Sequence, residues 1–315
     1  MSIAFLYPGQ GSQQAGMLAA LPDNAATRRT LGEAADALGD ISVLDSAEAL
    51  GSTTNDQLAL LICAVAATRS LIDEYRVTPD MVAGHSAGAF GAAVTAGVLT
   101  FAEALEAVRR RGDLMAQACA GGQWGMAAVT GLPLRTVRWL APGTAELWIA
   151  NINSADQIVL GGTMAALEQV RDAAQQAGAR DVDILDVPVA SHGPIQSGTA
   201  AALAEYLDGL PRRTQTAAYM TNVGARRVVD DAGAVFADLA GSVAHPVRWY
   251  DIARLLPEFE VTAAVQMPPG HVLCRLVASA APQVKVFNAG DGFDVVGARL
   301  GRGDRTRIAG GPNTP

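Results

Sequence analysis

Apolar positions recur along this chain at two spacings. Near-continuous apolar runs at 3–7, 81–83 and 261–266 read as strands of a parallel sheet buried on both faces. Between them, apolar residues three and four apart mark helices near 25–38, 57–74 and 101–119. The second of these presents Leu58, Leu61, Ile62, Val65, Ala66 and Ile72 as one broad face, and Pro79 breaks the chain after it. The third opens on Thr100 and Glu103 in capping-box spelling and carries Phe101, Leu105, Val108, Gly112 and Met115 along one stripe.

Past Gly121-Gly122 the rhythm changes. A strand at 125–130, a helix at 133–140, strands at 145–151 and 157–161, a helix at 163–178 and a strand at 181–187 give the order βαββαβ. That is a ferredoxin-like unit of a size to be inserted in a larger domain. Helices near 196–207, 232–243 and 272–280, one more opened by Pro246-Val247-Arg248-Trp249, and strands near 217–222 and 284–287 follow. The expected fold is α/β, with a core from 1–122 and 190–296 and an insert at 123–189. From 297 to 315 apolar residues are few, and a frayed tail is expected. No repeat is evident.

Composition narrows the class. Half of the 315 residues are hydrophobic and 17% are charged, enough to build a substantial core. The net charge of −8 excludes a general nucleic-acid role. Cys63, Cys119 and Cys274 lie far apart, which argues against a disulfide framework or a zinc site and suits a reducing cytoplasm. The run at 3–7 has no basic flank, so it reads as a strand and not a signal peptide. No apolar run is expected to reach membrane length, since His85 and Ser86 interrupt the best candidate.

The chemistry centres on Gly84-His85-Ser86-Ala87-Gly88. Bare Gly-x-Ser-x-Gly spelling is weak in a chain with 33 glycines. Here a strand precedes it and a small-residue helix follows, which is the setting of a nucleophile elbow. The turn is then so tight that glycine is needed on both sides, and Ser86 Oγ is held at the positive end of the next helix. The Ala87 N–H points to where an oxyanion would form. Upstream, Pro8-Gly9-Gln10-Gly11-Ser12-Gln13 is either a plain βα turn or a backbone-lined wall of a site.

A serine nucleophile needs a base, and the chain has four histidines. His85 abuts the serine and is directed away from it. His245 precedes a proline at a helix start, and His271 sits in a turn before another helix. His192 follows a strand, in a loop with Ser191 and Gly193, where catalytic groups collect. No aspartate stands out as its orienting partner; a backbone carbonyl is one candidate, and the residues alone leave the role unassigned. In Arg109-Arg110-Arg111 the first two residues point to solvent. Arg111 lies only about 60–70° off the apolar stripe, an expensive place for a cation without an anionic partner.

These residues resemble the malonyl-CoA:acyl carrier protein transacylases. The likeness runs through most of the chain: residues 8–13, 84–88 and 111–115, Asn151-Ile152-Asn153-Ser154, Ser191-His192, Pro246-Val247-Arg248-Trp249 and Pro269-Gly270-His271-Val272-Leu273. It implies a hydrolase-like core with a parallel sheet and nucleophile elbow, plus the ferredoxin-like insert. It also implies that Ser86 is acylated, with His192 as base and then acid, and that the N–H groups of Gln10 and Ala87 form the oxyanion hole. Arg111 would pair with the free carboxylate of a malonyl group. Gly9, Gly11, His85, Asn153 and Ser242 would line the cleft, with the backbone carbonyl at Ser242 orienting the histidine. No permanently bound cofactor or metal is implied.

Departures from the stand-alone enzymes point to one branch. Ala89-Phe90 follows the elbow where glutamate is usual, Ser242 replaces a glutamine, and Gln266-Met267-Pro268-Pro269-Gly270 replaces Glu-x-Gly-Pro-Gly. With 44–50 and 57–61, these are similar to the epsilon subunit of biotin-independent malonate decarboxylase. That likeness implies malonyl transfer from malonyl-CoA to the phosphoribosyl-dephospho-CoA arm of a small carrier subunit, with other decarboxylase subunits as partners. The alternative is a transacylase of fatty-acid or polyketide synthesis, served by a phosphopantetheine-type arm. A serine thioesterase would share the dyad, and a binding subunit would keep the elbow only as a relic. Arg212, Arg213, Arg226 and Arg227 are candidates for meeting an acidic carrier.

Overall fold

The structure, a computed structural model, describes residues 2–141 and 143–301. Its strands are β1 (Ser2–Tyr7), β2 (Met81–Gly84), β3 (Trp124–Thr130), β4 (Leu147–Ile152), β5 (Gln157–Thr163), β6 (Asp181–Ile184), β7 (Ala218–Met220), β8 (Arg227–Val228), β9 (Val261–Gln266) and β10 (Lys285–Asn288). The helices are α1 (Ala25–Leu38), α2 (Thr53–Asp73), α3 (Gly88–Thr95), α4 (Phe101–Cys119), α5 (Leu134–Leu140) and α6 (Met164–Gln176). They continue with α7 (Ser197–Asp208), α8 (Ala232–Gly241), α9 (Trp249–Leu255), α10 (Val272–Ala280) and α11 (Phe293–Leu300).

The main sheet has the order β10-β9-β1-β2-β7-β8, parallel except for the β7–β8 hairpin. Its central strand explains why the first apolar run is unbroken. Ile3, Phe5 and Tyr7 face the core built with α2, α3, α4, α7 and α8, while Ala4 and Leu6 face that of α9 and α10. Side chains of one strand alternate between faces, so a strand covered on both sides needs an apolar residue at every position. The second sheet, β4-β5-β3-β6, is wholly antiparallel and carries α5 and α6 against one face. This is the ferredoxin-like arrangement. It is tied back to the core where Ile152 donates to Val247 O and Val247 donates to Ala150 O.

Three expectations change. The stretch expected to fray from 297 instead belongs to α11 as far as Leu300, with Val296 and Leu300 buried and Gly297 against Tyr75. The remainder of that tail, 302–315, lies outside the described residues. The two-residue strand β8 was not anticipated, being too short to show alternation. Finally, α2 is long and apolar enough to cross a membrane by length and composition, contrary to the expectation from the elbow region. In the fold 83% of that window is buried, packed against α1, α3 and α4. It is a core helix.

Candidate active site

The elbow is a consequence of crowding. Ser86 adopts φ +53°, and a Cβ on Gly84 would lie 2.2 Å from the Gly88 carbonyl carbon. On Gly88 it would lie 2.2 Å from Tyr7 O, so only glycine fits at either position. Two hydrogen bonds hold the turn between neighbouring strands. His85 N–H donates to Tyr7 O at the end of β1, and Ser86 N–H donates to Asn222 Oδ1 beyond β7. α3 then begins with Ala87 as its N-cap.

Ser86 Oγ lies 2.8 Å from His192 Nε2 and 3.1 Å from Arg111 Nη2. The other ring nitrogen of His192, Nδ1, lies 2.6 Å from Ser242 O, and its backbone N–H donates to Val243 O. A carbonyl only accepts, so Nδ1 carries the proton and Nε2 is free to accept one. Burial, the Arg111 cation and to a lesser degree His85 hold the imidazole down to about 3, against the pull of Ser242 O. It is neutral at neutral pH.

Arg111 is 1% exposed, on the inward edge of α4. Gly112 beside it lets α2 approach so closely that a Cβ there would lie 2.5 Å from Thr54 Cα. This approach brings Gln57 Oε1 to 2.6 Å from Arg111 Nη1. Both partners of the guanidinium are neutral, its Nε has none, and burial lowers its pKa to about 10. The same network reaches the first loop: Gln57 Nε2 donates to Gln10 Oε1, and Gln10 Nε2 donates to Asp56 Oδ2. Gly9 lies where a Cβ would be 2.5 Å from His85 O, which presses the loop onto the elbow. Among the described residues, the N–H groups of Gln10 and Ala87 have no acceptor.

A cleft of about 350 Å³ opens over Ser86 and His192. Gln10, Gly11, His85 and Met115 line it from the core, and Met126 and Asn151 from the insert. His85 Nε2 lies 3.0 Å from Asn153 Oδ1, so the histidine turns away from Ser86 Oγ and joins the elbow to the insert. His245 Nδ1 bonds Gly241 O, and His271 contacts Asn288 and Asp291 on a separate face. Arg212 and Arg213 are engaged locally, with Asp208 and Glu103, whereas Arg226 and Arg227 are exposed near β8.

The family model described as acyl transferase domain matches residues 4–296. The chain belongs to the acyl transferase domain family. The malonyl CoA-acyl carrier protein transacylase of Bacillus subtilis is 32% identical, over 92% of this chain and 93% of its own. An acyl-carrier-protein S-malonyltransferase from Burkholderia pseudomallei superposes with a TM-score of 0.89 at 34% identity, covering 95% of this chain and all of its own. A malonyl-transacylase solved in complex with its type II PKS acyl-carrier protein gives 0.89 at 30% identity, over 95% and 99%. The chain is thus an acyltransferase with the family's hydrolase-like fold and small inserted domain.

Sequence reading missed several groups that build this acyl transferase site. Gln57 and Asp56 lie on a helix read only for its apolar face. Asn222 and Asp238 sit behind the elbow, and Asn151 is a buried cleft residue whose Oδ1 has no partner. Only Asn151 had a local signal, in its Asn-Ile-Asn spelling. Gln266, one of the departures from the family's spelling, bonds Pro269 O, Gly270 O and Cys274 N and so shapes the turn before α10.

Proposed function

We propose that this protein transfers a malonyl group from malonyl-CoA through a malonyl-serine ester to the thiol of an acyl carrier protein. The observation that carries this is Ser86 Oγ lying between a neutral imidazole and a buried arginine that has no anionic partner. The relatives' names support the malonyl and carrier assignment.

His192 Nε2 takes the Ser86 proton as Oγ attacks the thioester carbonyl. The N–H groups of Gln10 and Ala87 receive the oxyanion. As the tetrahedral intermediate collapses, the C–S bond breaks and His192 returns the proton to the CoA thiolate. The carrier thiol then gives its proton to His192 and attacks the ester; the C–O bond to Ser86 breaks and His192 returns the proton to Oγ. Throughout, the malonyl carboxylate occupies Arg111, whose planar donors suit it. Pairing there also neutralises a charge that depresses His192, so substrate binding strengthens the base. Asn151 Oδ1, buried in the cleft wall without a hydrogen-bond partner, is an unused acceptor there. The three free thiols suit a cytoplasmic reaction.

The narrower assignment to malonate decarboxylase, with its phosphoribosyl-dephospho-CoA arm and partner subunits, rests only on sequence: the departures at Ala89-Phe90, Ser242 and 266–270 and the likeness at 44–50 and 57–61. The relatives favour the transacylase of fatty-acid or polyketide synthesis. Intact mass after brief incubation with malonyl-CoA tests the shared step. A malonyl adduct is expected on wild type and absent from Ser86→Ala. Steady CoA release without an adduct on wild type would make the protein a hydrolase instead. Discharge of the adduct onto a phosphopantetheine carrier, and not onto one bearing the phosphoribosyl arm, is the expected second result.

A further inference from the structure

Behind the elbow, on the side away from the cleft, lies a buried polar cluster that the reaction above does not use. Asp238, on α8, is 5% exposed, and Asn222 is fully buried. Four donors converge on the Asp238 carboxylate. Tyr219 OH donates to Oδ2 at 2.9 Å, Asn222 N–H at 2.9 Å and Asn222 Nδ2 at 3.3 Å, while Val223 N–H donates to Oδ1 at 3.0 Å. These donors come from the end of β7 and the loop after it, so the carboxylate gathers that loop. Burial pushes its pKa up and the converging donors pull it back. Three of them are amide N–H groups that can only donate, and the two carboxylate oxygens supply the acceptors they need.

The consequence reaches Ser86. β2 pairs with β7 as far as Ala83↔Met220, after which the elbow turns the chain out of the ladder. Ser86 N–H would lose its acceptor there, and Asn222 Oδ1 supplies one at 3.0 Å. An amide has one accepting and one donating end. With Nδ2 committed to Asp238, Oδ1 must face Ser86. We propose that Asp238 and Asn222 are positioning residues for the nucleophile: the carboxylate fixes the sense of the Asn222 amide, and the amide holds Ser86 at its positive φ with Oγ toward His192. The proposal rests on the reading of Ser86 as the acylated residue.

Pre-steady-state acylation tests it. Rapid-quench intact mass with saturating malonyl-CoA gives the acylation rate, and varying malonyl-CoA gives the apparent KM. Asn222→Ala removes the acceptor of Ser86 N–H but keeps the backbone donors to Asp238. It is expected to slow acylation roughly 10–100-fold, with the apparent KM within about twofold, as for a displaced nucleophile. Asp238→Ala is expected to act alike, because it frees Asn222 Nδ2 and with it the sense of the Asn222 amide. Wild-type acylation rates in folded Asn222→Ala, or a loss confined to KM, would overturn the proposal even if Asp238→Ala fails to fold. Failure of wild type itself to form an adduct would instead refute the reading of Ser86.

Discussion

Two buried charges flank the same serine, and their surroundings are opposite. Asp238 is surrounded by four neutral donors from β7 and the loop after it, and each of its oxygens has a partner. Arg111 has two neutral partners and a buried Nε with none. Burying a charge costs several kcal/mol unless its hydrogen-bonding capacity is met. The protein meets that cost within its own fold for Asp238 and leaves it partly unmet for Arg111. The difference sets a charge satisfied within the scaffold against one left partly unsatisfied beside Ser86. Burial and then the Arg111 cation hold the neighbouring His192 unprotonated.

The sharpest way to break this comparison is to remove the arginine. Arg111→Met keeps much of the side-chain volume and removes the unpaired cation. Malonyl-adduct formation should fall by roughly two to three orders of magnitude, the loss expected for one partner of a desolvated carboxylate pair. Thermal stability should stay level or rise, since no anion of the protein is left unpaired. A large drop in melting temperature with near-normal acylation would mean that Arg111 is scaffold after all.

Asp238→Ala should do the reverse in stability. Four buried donors would lose their acceptor together, at about 1–3 kcal/mol for an unsatisfied buried group and not fully additively. A total of about 3–5 kcal/mol, read from chemical denaturation, is expected. A loss below about 1 kcal/mol would show that the loop after β7 holds itself without the carboxylate.

How legible this was in sequence follows from how local each constraint is. The elbow is written in five consecutive residues because two glycines and a serine must clear one another there. His192 emerged because four histidines can be compared by context, and Arg111 because helical spacing puts it at the edge of an apolar stripe. The parallel sheet and the βαββαβ order were likewise carried by short-range rhythm. By contrast, Ser86 and Asn222 meet across 136 positions, and Gln57 and Arg111 across 54. Neutral amides joined at such separations have no period, so the groups behind the site stayed invisible. α11 was hidden differently: Phe293, Val296 and Leu300 have helical spacing, but the Arg- and Gly-rich stretch that follows masked it.

A third buried charge grades the comparison. Asp56 accepts from Gln10 Nε2 on one oxygen and has no partner on the other, so it is half satisfied. Burial raises its pKa from 3.8 to about 6, against the pull of Gln10. Between these values the folded protein retains a proton that the unfolded chain has released. Stability from this group therefore falls as pH rises from about 4 to about 6, and is level above that. Asp56→Asn keeps an acceptor for Gln10 and removes the titration. It should raise stability relative to wild type at pH 7 by roughly 1–2 kcal/mol and leave it nearly unchanged at pH 4. His192, held down to about 3, tilts both proteins the other way, so the quantity to measure is variant minus wild type at each pH. An equal difference at pH 4 and pH 7 would show that Asp56 is not carrying an unmet charge. A difference that grows through this window would place it between Arg111 and Asp238, with satisfaction of the buried charge, not burial alone, deciding the order.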